Sequence, residues 1–118
     1  AFSTEEKGGR TMMGDSVEQC ATSLTEAGAD VAGANCGELD PAQTAVIVSL
    51  FKSATTLPIL AQPNAGKPRL VGDKTVFEMA PEAFAAGIAE CLGAGARLVG
   101  GCCGTSPAHI RAVADILK

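Results

Sequence analysis

The residues of this chain with the clearest chemical potential are three cysteines that stand next to glycine. Cys36 is followed by a glycine, and the adjacent Cys102 and Cys103 have a glycine on either side of the pair. Converging thiolates bind Zn²⁺ well, because this ion is borderline soft and prefers tetrahedral sulfur and nitrogen ligands. Three protein ligands leave one position open, as in a catalytic zinc site. The alternative interpretation is three small thiols in a tight core, and residue types alone do not decide between the two.

A zinc site made of three thiolates favours one kind of reaction. Three thiolates around Zn²⁺ leave a net charge of about −1, which makes the ion a weak Lewis acid towards water. A substrate thiol in the open position would lose its proton, because a coordinated thiol is deprotonated. The sulfur then carries surplus negative charge, so the site suits attack by sulfur on an alkyl group better than hydrolysis.

The other two cysteines, Cys20 and Cys91, lie inside predicted helices among apolar residues, and we interpret both as core residues. The total of five is odd and no secretion signal begins the sequence, so a disulfide framework is not predicted. One redox alternative stays open, in which Cys36 pairs with Cys102 or Cys103.

Helix signals and short apolar runs alternate along the chain. Capping residues or prolines predict four helices, which begin at Ser16, Asp40, Pro81 and Ser106. Apolar runs without polar alternation, typical of buried parallel strands, lie at residues 31–34, 57–61 and 97–100. Parallel strands joined by helices predict an α/β fold, either an open sheet or a barrel. Residues 65–80 are predicted as a long connection.

An internal repeat places two of the cysteines in equivalent positions. Residues 28–37 and 95–104 share five identities in ten positions, and they are two strand–helix units apart. They would therefore form alternate strands of one sheet, with Cys36 and Cys103 at matching heights. In a (β/α)₈ barrel both would lie at the carboxyl ends of the strands, where barrel active sites are built. A chance match between glycine-rich segments is the alternative.

Composition excludes several classes of protein. The chain has 118 residues, 47% of them hydrophobic, and a net charge of −4, which argues against a disordered tail and a basic nucleic-acid footprint. No apolar run approaches the roughly 20 residues that span a bilayer. We therefore expect a cytoplasmic protein of one domain's length, with no nucleic-acid or membrane partner.

Three motifs carry a resemblance to a known family. Gly-Ala-Asn-Cys-Gly at residues 33–37, Gln-Pro-Asn-Ala-Gly-Lys-Pro at 62–68 and Gly-Gly-Cys-Cys-Gly-Thr-Ser-Pro-Ala-His-Ile at 100–110 resemble the zinc-region motifs of the homocysteine S-methyltransferase family. Residues 10–14, Arg-Thr-Met-Met-Gly, resemble the segment after that family's fifth strand. The likeness is strongest to the zinc barrel of the cobalamin-dependent methionine synthase type.

The resemblance implies a fold, a metal and a reaction. It implies a (β/α)₈ TIM barrel in which Cys36, Cys102 and Cys103 hold Zn²⁺. The thiolate of homocysteine becomes the fourth ligand and attacks a methyl group in an in-line displacement, which gives methionine. Asn64 would lie beside the metal as a substrate-binding residue or labile fourth ligand; its alternative role is that of a turn residue. Methylcobalamin or another methyl donor would come from a corrinoid domain or protein outside these residues.

The chain departs from the family in its length. A full barrel needs about 250 residues, whereas three strands, four helices and a strand stub at residues 1–3 are predicted here. We expect residues 1–118 to be the C-terminal half of a barrel, lacking the first-strand motif that helps to hold homocysteine. Such a half-barrel is expected to be inactive alone and to form a homodimer through its open edges. The alternative function is that of a metal-free, inactive half-barrel that self-associates.

Two further residues are assigned structural roles. His109, the single histidine, is predicted to orient the loop before the last helix. Glu38 and Asp40 follow Cys36 closely, at a place where the ammonium group of a substrate would need a carboxylate partner. We interpret Asp40 as a helix cap.

Overall fold

The structure is a computed structural model of one chain, and it describes residues 1–3 and 9–118. This part of the chain has the predicted α/β fold, with four helices and a three-stranded parallel sheet. The helices are α1 (Val17–Glu26), α2 (Pro41–Ala54), α3 (Pro81–Ala94) and α4 (Pro107–Ile116). The strands are β1 (Ala32–Asn35), β2 (Ile59–Gln62), β3 (Arg69–Val71), β4 (Lys74–Val76) and β5 (Ala96–Val99).

The helices begin where their capping residues predict. The Ser16 hydroxyl accepts a hydrogen bond from the Gln19 backbone N–H at 3.2 Å, and the Gln19 side chain accepts one in return from the Ser16 N–H at 2.8 Å. Asp40 and Gln43 repeat this reciprocal pair at the start of α2. Each pair satisfies two N–H groups that the first helical turn leaves without partners. Asp40 is therefore a helix cap, as interpreted from the sequence.

The parallel sheet has the order β1-β2-β5, so β2 pairs with a strand on each side. In the register, Asn35 lies opposite Gln62, and Ala61 lies opposite Val99. The two copies of the sequence repeat supply β1 and β5, which confirms that they are alternate strands. All three strands run the same way, so their carboxyl ends lie at one edge, which we call the carboxyl edge.

The helices cover one face of this sheet. Ala32 and Ile59 on that face are almost fully buried, at 3% and 1% exposure. On the opposite face Leu60 is partly exposed and Leu98 is 43% exposed. The apolar runs suggested strands buried on both faces, but in the described residues only one face is covered.

The long connection after β2 contains a β-hairpin that the sequence analysis did not predict. β3 and β4 pair antiparallel and are joined by Gly72 and Asp73. Gly72 has a φ of +63°, a conformation that glycine adopts without a steric penalty. A two-residue link containing glycine between β-prone runs is a hairpin signal, and the Pro and Gly residues around it obscured that signal.

The strand stub predicted at residues 1–3 is not a strand in the structure. The Phe2 carbonyl accepts a single hydrogen bond from the Glu38 N–H, and the Ser3 N–H donates to the Arg10 carbonyl. Phe2 instead fills the core, in an edge-to-face contact with Phe51 at 5.9 Å between ring centroids. Burial of this aromatic ring therefore holds the segment, without a ladder of strand hydrogen bonds.

None of the helices found in residues 1–3 and 9–118 has both the length and the apolar character needed to cross a membrane.

Two glycines give a matched test of how tightly the sheet is packed. A Cβ added to Gly33 in β1 would lie 2.0 Å from the Leu60 carbonyl oxygen, whereas one added to Gly93 in α3 would meet nothing within 4 Å. We expect Gly33→Ala to lower the free energy of unfolding by about 1–3 kcal/mol through overpacking, and Gly93→Ala to raise it by up to about 1 kcal/mol through helix propensity. Urea unfolding measures both, and equal effects would contradict the close contact.

Buried Cys91 predicts a loss of stability at alkaline pH. Desolvation by burial, followed by the nearby charge of Glu90, raises the pKa of this thiol to about 11 from 9.0. Because the unfolded thiol ionises first, this stabilisation is present below pH 9 and is lost between about pH 9 and 11. The stability difference between the parent chain and Cys91→Ala should shrink over that range by at most about 2 kcal/mol. A pH-independent difference would contradict this prediction.

Candidate metal centre

Cys36, Cys102 and Cys103 come together at the carboxyl edge of the sheet. Cys36 directly follows β1, and the other two cysteines follow β5. The Sγ atoms of Cys36 and Cys103 are 3.8 Å apart, those of Cys102 and Cys103 are 4.0 Å apart, and all three lie within 4.8 Å of one another. Within residues 1–3 and 9–118, this is the one group of three or more potential Cys, His, Asp or Glu ligands that converges on a point.

Two of the three sulfur–sulfur separations fit a tetrahedral zinc ion. Zn–S bonds of about 2.3 Å at tetrahedral angles place two sulfur atoms about 3.8 Å apart. A disulfide would need the sulfurs about 2.05 Å apart, and all five cysteines are free thiols. Cys36 and Cys102 are partly buried and Cys103 is exposed, so an ion held by the three would have an open side.

The backbone at the end of β1 turns sharply to aim Cys36 at the other thiols. Cys36 has a φ of +56° and is the one non-glycine residue with positive φ in the described residues. Side chains rarely adopt this conformation, and such strain persists only where the surroundings enforce it. Gly37 continues the turn with a φ of +73°, and a Cβ there would lie 2.5 Å from the Phe2 carbonyl oxygen. The sequence therefore needs glycine directly after this cysteine.

The segment that follows β2 holds the two cysteine loops together. The Gln62 carbonyl accepts from the Cys36 N–H at 3.2 Å, and the Pro63 carbonyl accepts from the Cys102 N–H at 2.9 Å. Ala65 then donates its N–H to the Cys103 carbonyl at 2.9 Å. Residues 62–65 therefore act as a central strap between the loop after β1 and the loop after β5.

Asn64 adds a side-chain bridge between the same two loops. Its Nδ2 donates to the Gly37 carbonyl at 3.0 Å, and its Oδ1 accepts from the Cys103 N–H at 3.1 Å. The residue is only 2% exposed, so these bonds satisfy a buried amide. Asn64 is therefore more than a turn residue, because its side chain joins the two cysteine loops. Lending an oxygen to zinc stays a prediction.

Asn35 also belongs to the site, although the sequence pattern did not indicate it. It is the last residue of β1, and its Nδ2 donates to the Sγ of Cys102 at 3.6 Å. The available signal was an amide directly before a cysteine at the end of a strand. That signal is weak, because it does not indicate which residue the amide contacts. The partner, Cys102, lies in the loop after β5, on the other side of β2.

The thiols of Cys102 and Cys103 differ in acidity. Desolvation acts to raise the pKa of Cys102, but hydrogen bonds from Asn35, Cys36 and Cys103 outweigh it and lower that pKa. Hydrogen bonds with Cys36 and Cys102, and then the charges of these thiols, raise the pKa of Cys103 to about 11. Adjacent thiols thus resist joint ionisation, and a divalent cation would offset their mutual repulsion.

His109 has the structural role predicted from the sequence. Its Nδ1 accepts from the Ser106 N–H at 3.2 Å, and its Nε2 lies 2.7 Å from the Met79 carbonyl. The first bond leaves Nδ1 unprotonated, so Nε2 carries the hydrogen and donates it to Met79. The ring is 9% exposed and packs edge-to-face on Phe84. It ties the loop that follows Cys103 to the end of the hairpin connection.

Cys91 is a core residue, as predicted, and Cys20 packs against the same core while partly exposed. Burial, followed by the charge of Asp15, raises the pKa of Cys20 as well. Neither thiol belongs to the converging group.

Sequence comparison connects this geometry to known proteins. The family model described as homocysteine S-methyltransferase matches residues 1–117. The methionine synthase of Mycobacterium tuberculosis is 34% identical over 115 residues, which cover 97% of this chain and 10% of that protein. The methionine synthase of Mycobacterium leprae is 32% identical over 112 residues, covering 94% and 9%. The chain therefore spans about a tenth of the length of these relatives.

Structural comparison finds the same family. The metallated form of the homocysteine methyltransferase MmuM from Escherichia coli has a TM-score of 0.66 and 26% identity, covering 87% of this chain and 30% of that chain. Its apo form gives a TM-score of 0.69 at 26% identity, covering 95% and 37%. These likenesses confirm the α/β fold predicted as part of a (β/α)₈ barrel.

Substitutions of the two asparagines of the site should affect stability to very different extents. Asn64→Ala removes two hydrogen bonds inside the protein, and leaving their partners unsatisfied should cost about 2–4 kcal/mol of unfolding free energy. Asn35 is exposed, so Asn35→Ala should change stability by no more than about 0.5 kcal/mol. Urea unfolding compares the two variants, and hydrogen exchange at the Cys103 amide should accelerate only in Asn64→Ala. Equal destabilisation would contradict the distinction.

Proposed function

The chain belongs to the homocysteine S-methyltransferase family, and we propose that it carries the zinc-binding part of a methyltransferase domain. The proposed ligands are Cys36, Cys102 and Cys103. The observation that supports this most directly is their convergence, with the Sγ of Cys103 lying 3.8 Å from that of Cys36 and 4.0 Å from that of Cys102. These separations match those expected around a tetrahedral ion, about 3.8 Å.

The proposed substrate is the thiol of homocysteine, and the proposed product is methionine. When bound, zinc would lower the pKa of the substrate thiol and keep it as a thiolate at neutral pH. The family supports homocysteine as the acceptor, and three sulfur ligands support an electron-rich site suited to alkyl transfer. A new sulfur–methyl bond would form as the methyl group leaves its donor, and the electron pair of the broken bond would stay with the donor.

The chain's own residues would position the metal and leave access to it. The strap at residues 62–65 and the bridge of Asn64 hold the two cysteine loops at a fixed separation. Cys103 is exposed, which supports an open side for the incoming thiol. We further propose that Asn64 contacts the metal or the substrate when the open position changes occupant.

We propose that metal binding and methyl transfer have different requirements. All three proposed ligands lie within this chain, which supports metal binding by these residues alone. The aligned region is 30% of the metallated MmuM chain, so residues outside it are expected to complete the substrate pocket. Methylcobalamin or another donor would be supplied by further domains or partners. Pairing of two copies of this chain stays a prediction.

Metal analysis of single-cysteine variants tests this function. The purified chain should bind about one zinc ion, and Cys36→Ser, Cys102→Ser or Cys103→Ser should each weaken binding by more than about 100-fold, beyond the usual effect of losing an outer-shell partner. Cys20→Ser is the matched control and should bind zinc normally. The measurements are metal content after dialysis and competition with a chromophoric chelator.

The outcomes separate the proposal from its alternative. A folded chain that binds no zinc after reconstitution under reducing conditions would support the metal-free, self-associating half-barrel. Zinc binding that survives Cys102→Ser would reject the ligand assignment. Addition of homocysteine to the cobalt-substituted chain tests whether the open position accepts the substrate thiol, and a new thiolate charge-transfer signal would support homocysteine as the acceptor.

A further inference from the structure

A side-chain hydrogen bond links the end of β1 to Cys102, one of the proposed ligands. The Nδ2 of Asn35 donates to the Sγ of Cys102 at 3.6 Å, although the two residues are 67 positions apart. Asn35 is exposed, so water could satisfy its amide in place of the sulfur. The contact is therefore not required to avoid a buried unsatisfied group.

Both ends of this contact are held by backbone hydrogen bonds. Asn35 lies opposite Gln62 in the parallel register, so its amide projects from a paired strand and not from a loop. The Cys102 N–H donates to the Pro63 carbonyl at 2.9 Å, and the Cys102 carbonyl accepts from the Thr105 hydroxyl at 2.7 Å. An amide on a paired strand thus faces a cysteine whose backbone is fixed on both sides.

A hydrogen bond to a ligand sulfur has consequences for the metal that the sulfur holds. It orients the thiolate, restricts the rotation of its side chain and withdraws electron density from the sulfur. We propose that Asn35 is a positioning residue, whose amide directs the Cys102 thiolate towards the metal and tunes its donation. This inference rests on the proposed metal site, but it does not depend on homocysteine or on methyl transfer.

The role differs from that of Asn64. Asn64 is buried and its side-chain amide forms hydrogen bonds with backbone groups of Gly37 and Cys103, so it supports the loops themselves. Asn35 contacts the sulfur directly, so its loss should change the metal's properties with little change in the stability of the metal-free chain.

Cobalt and zinc binding by Asn35 variants test the inference. Asn35→Ala removes the donor, and Asn35→Asp keeps the side-chain shape while presenting oxygen atoms to the sulfur. Each should weaken zinc binding by about 10–100-fold, the range for losing an outer-shell partner of a ligand. The thiolate-to-cobalt charge-transfer band should shift in energy in both variants. The readouts are competition with a chromophoric chelator and near-ultraviolet absorption of the cobalt-loaded chain.

A control separates this role from general destabilisation. Ser16→Ala removes the side-chain cap of α1, which lowers stability by about 0.5–2 kcal/mol without touching the thiols. It should leave the affinity and the cobalt spectrum unchanged.

The possible results distinguish this inference from the proposed function. If the parent chain binds zinc and both Asn35 variants bind it within about twofold, with an unshifted cobalt band, the inference is wrong and the proposed function stands. If the parent chain binds neither metal, the metal site is wrong and the role of Asn35 fails with it. Weakened binding with a shifted band in Asn35→Asp, at unchanged stability, supports the positioning role.

Discussion

The arrangement of this site depends on the position of β2 between two strands that end in cysteine-bearing loops. Parallel strands place their carboxyl ends at the same edge, and the residues after β2 have backbone groups that face both neighbours. Gln62 and Pro63 each accept a hydrogen bond from a cysteine N–H. The distance between Cys36 and Cys103 is thus set by sheet geometry, before any attraction between the thiols themselves.

Electrostatics oppose the joint ionisation of thiols that are held this close together. Among three thiols that lie within 4.8 Å of one another, hydrogen bonds with Cys36 and Cys102, and then the charges of these thiols, raise the pKa of Cys103 to about 11. The backbone contributes further strain, since Cys36 has a positive φ. A divalent ion would offset the repulsion, and folding energy from the covered face of the sheet offsets the strain. Order in the loops comes from the chain's own hydrogen bonds, and charge compensation by a bound cation would be a separate contribution.

Local patterns predicted the elements, and the repeat predicted the neighbours. Helix starts at Ser16 and Asp40 were predictable because capping depends on residues three positions apart. The equivalence of residues 28–37 and 95–104 correctly placed β1 and β5 on either side of β2. The contact from Asn35 to Cys102 was not predictable, because the two residues are 67 positions apart. It also depends on how β1 and the loop after β5 are placed on the two sides of β2. The β3–β4 hairpin was missed because its two short strands lie among Gly and Pro residues.

The two faces of the parallel sheet have different roles in the described residues. On the helical face, small residues such as Ala32 and Ala34 alternate with positions that point the other way, so helices approach the strands closely. On the opposite face, Asn35 and Leu98 remain exposed in the described residues. The helical face supplies the burial that stabilises the strands. In the described residues the other face presents the Asn35 amide beside the thiols, where it donates to the Sγ of Cys102.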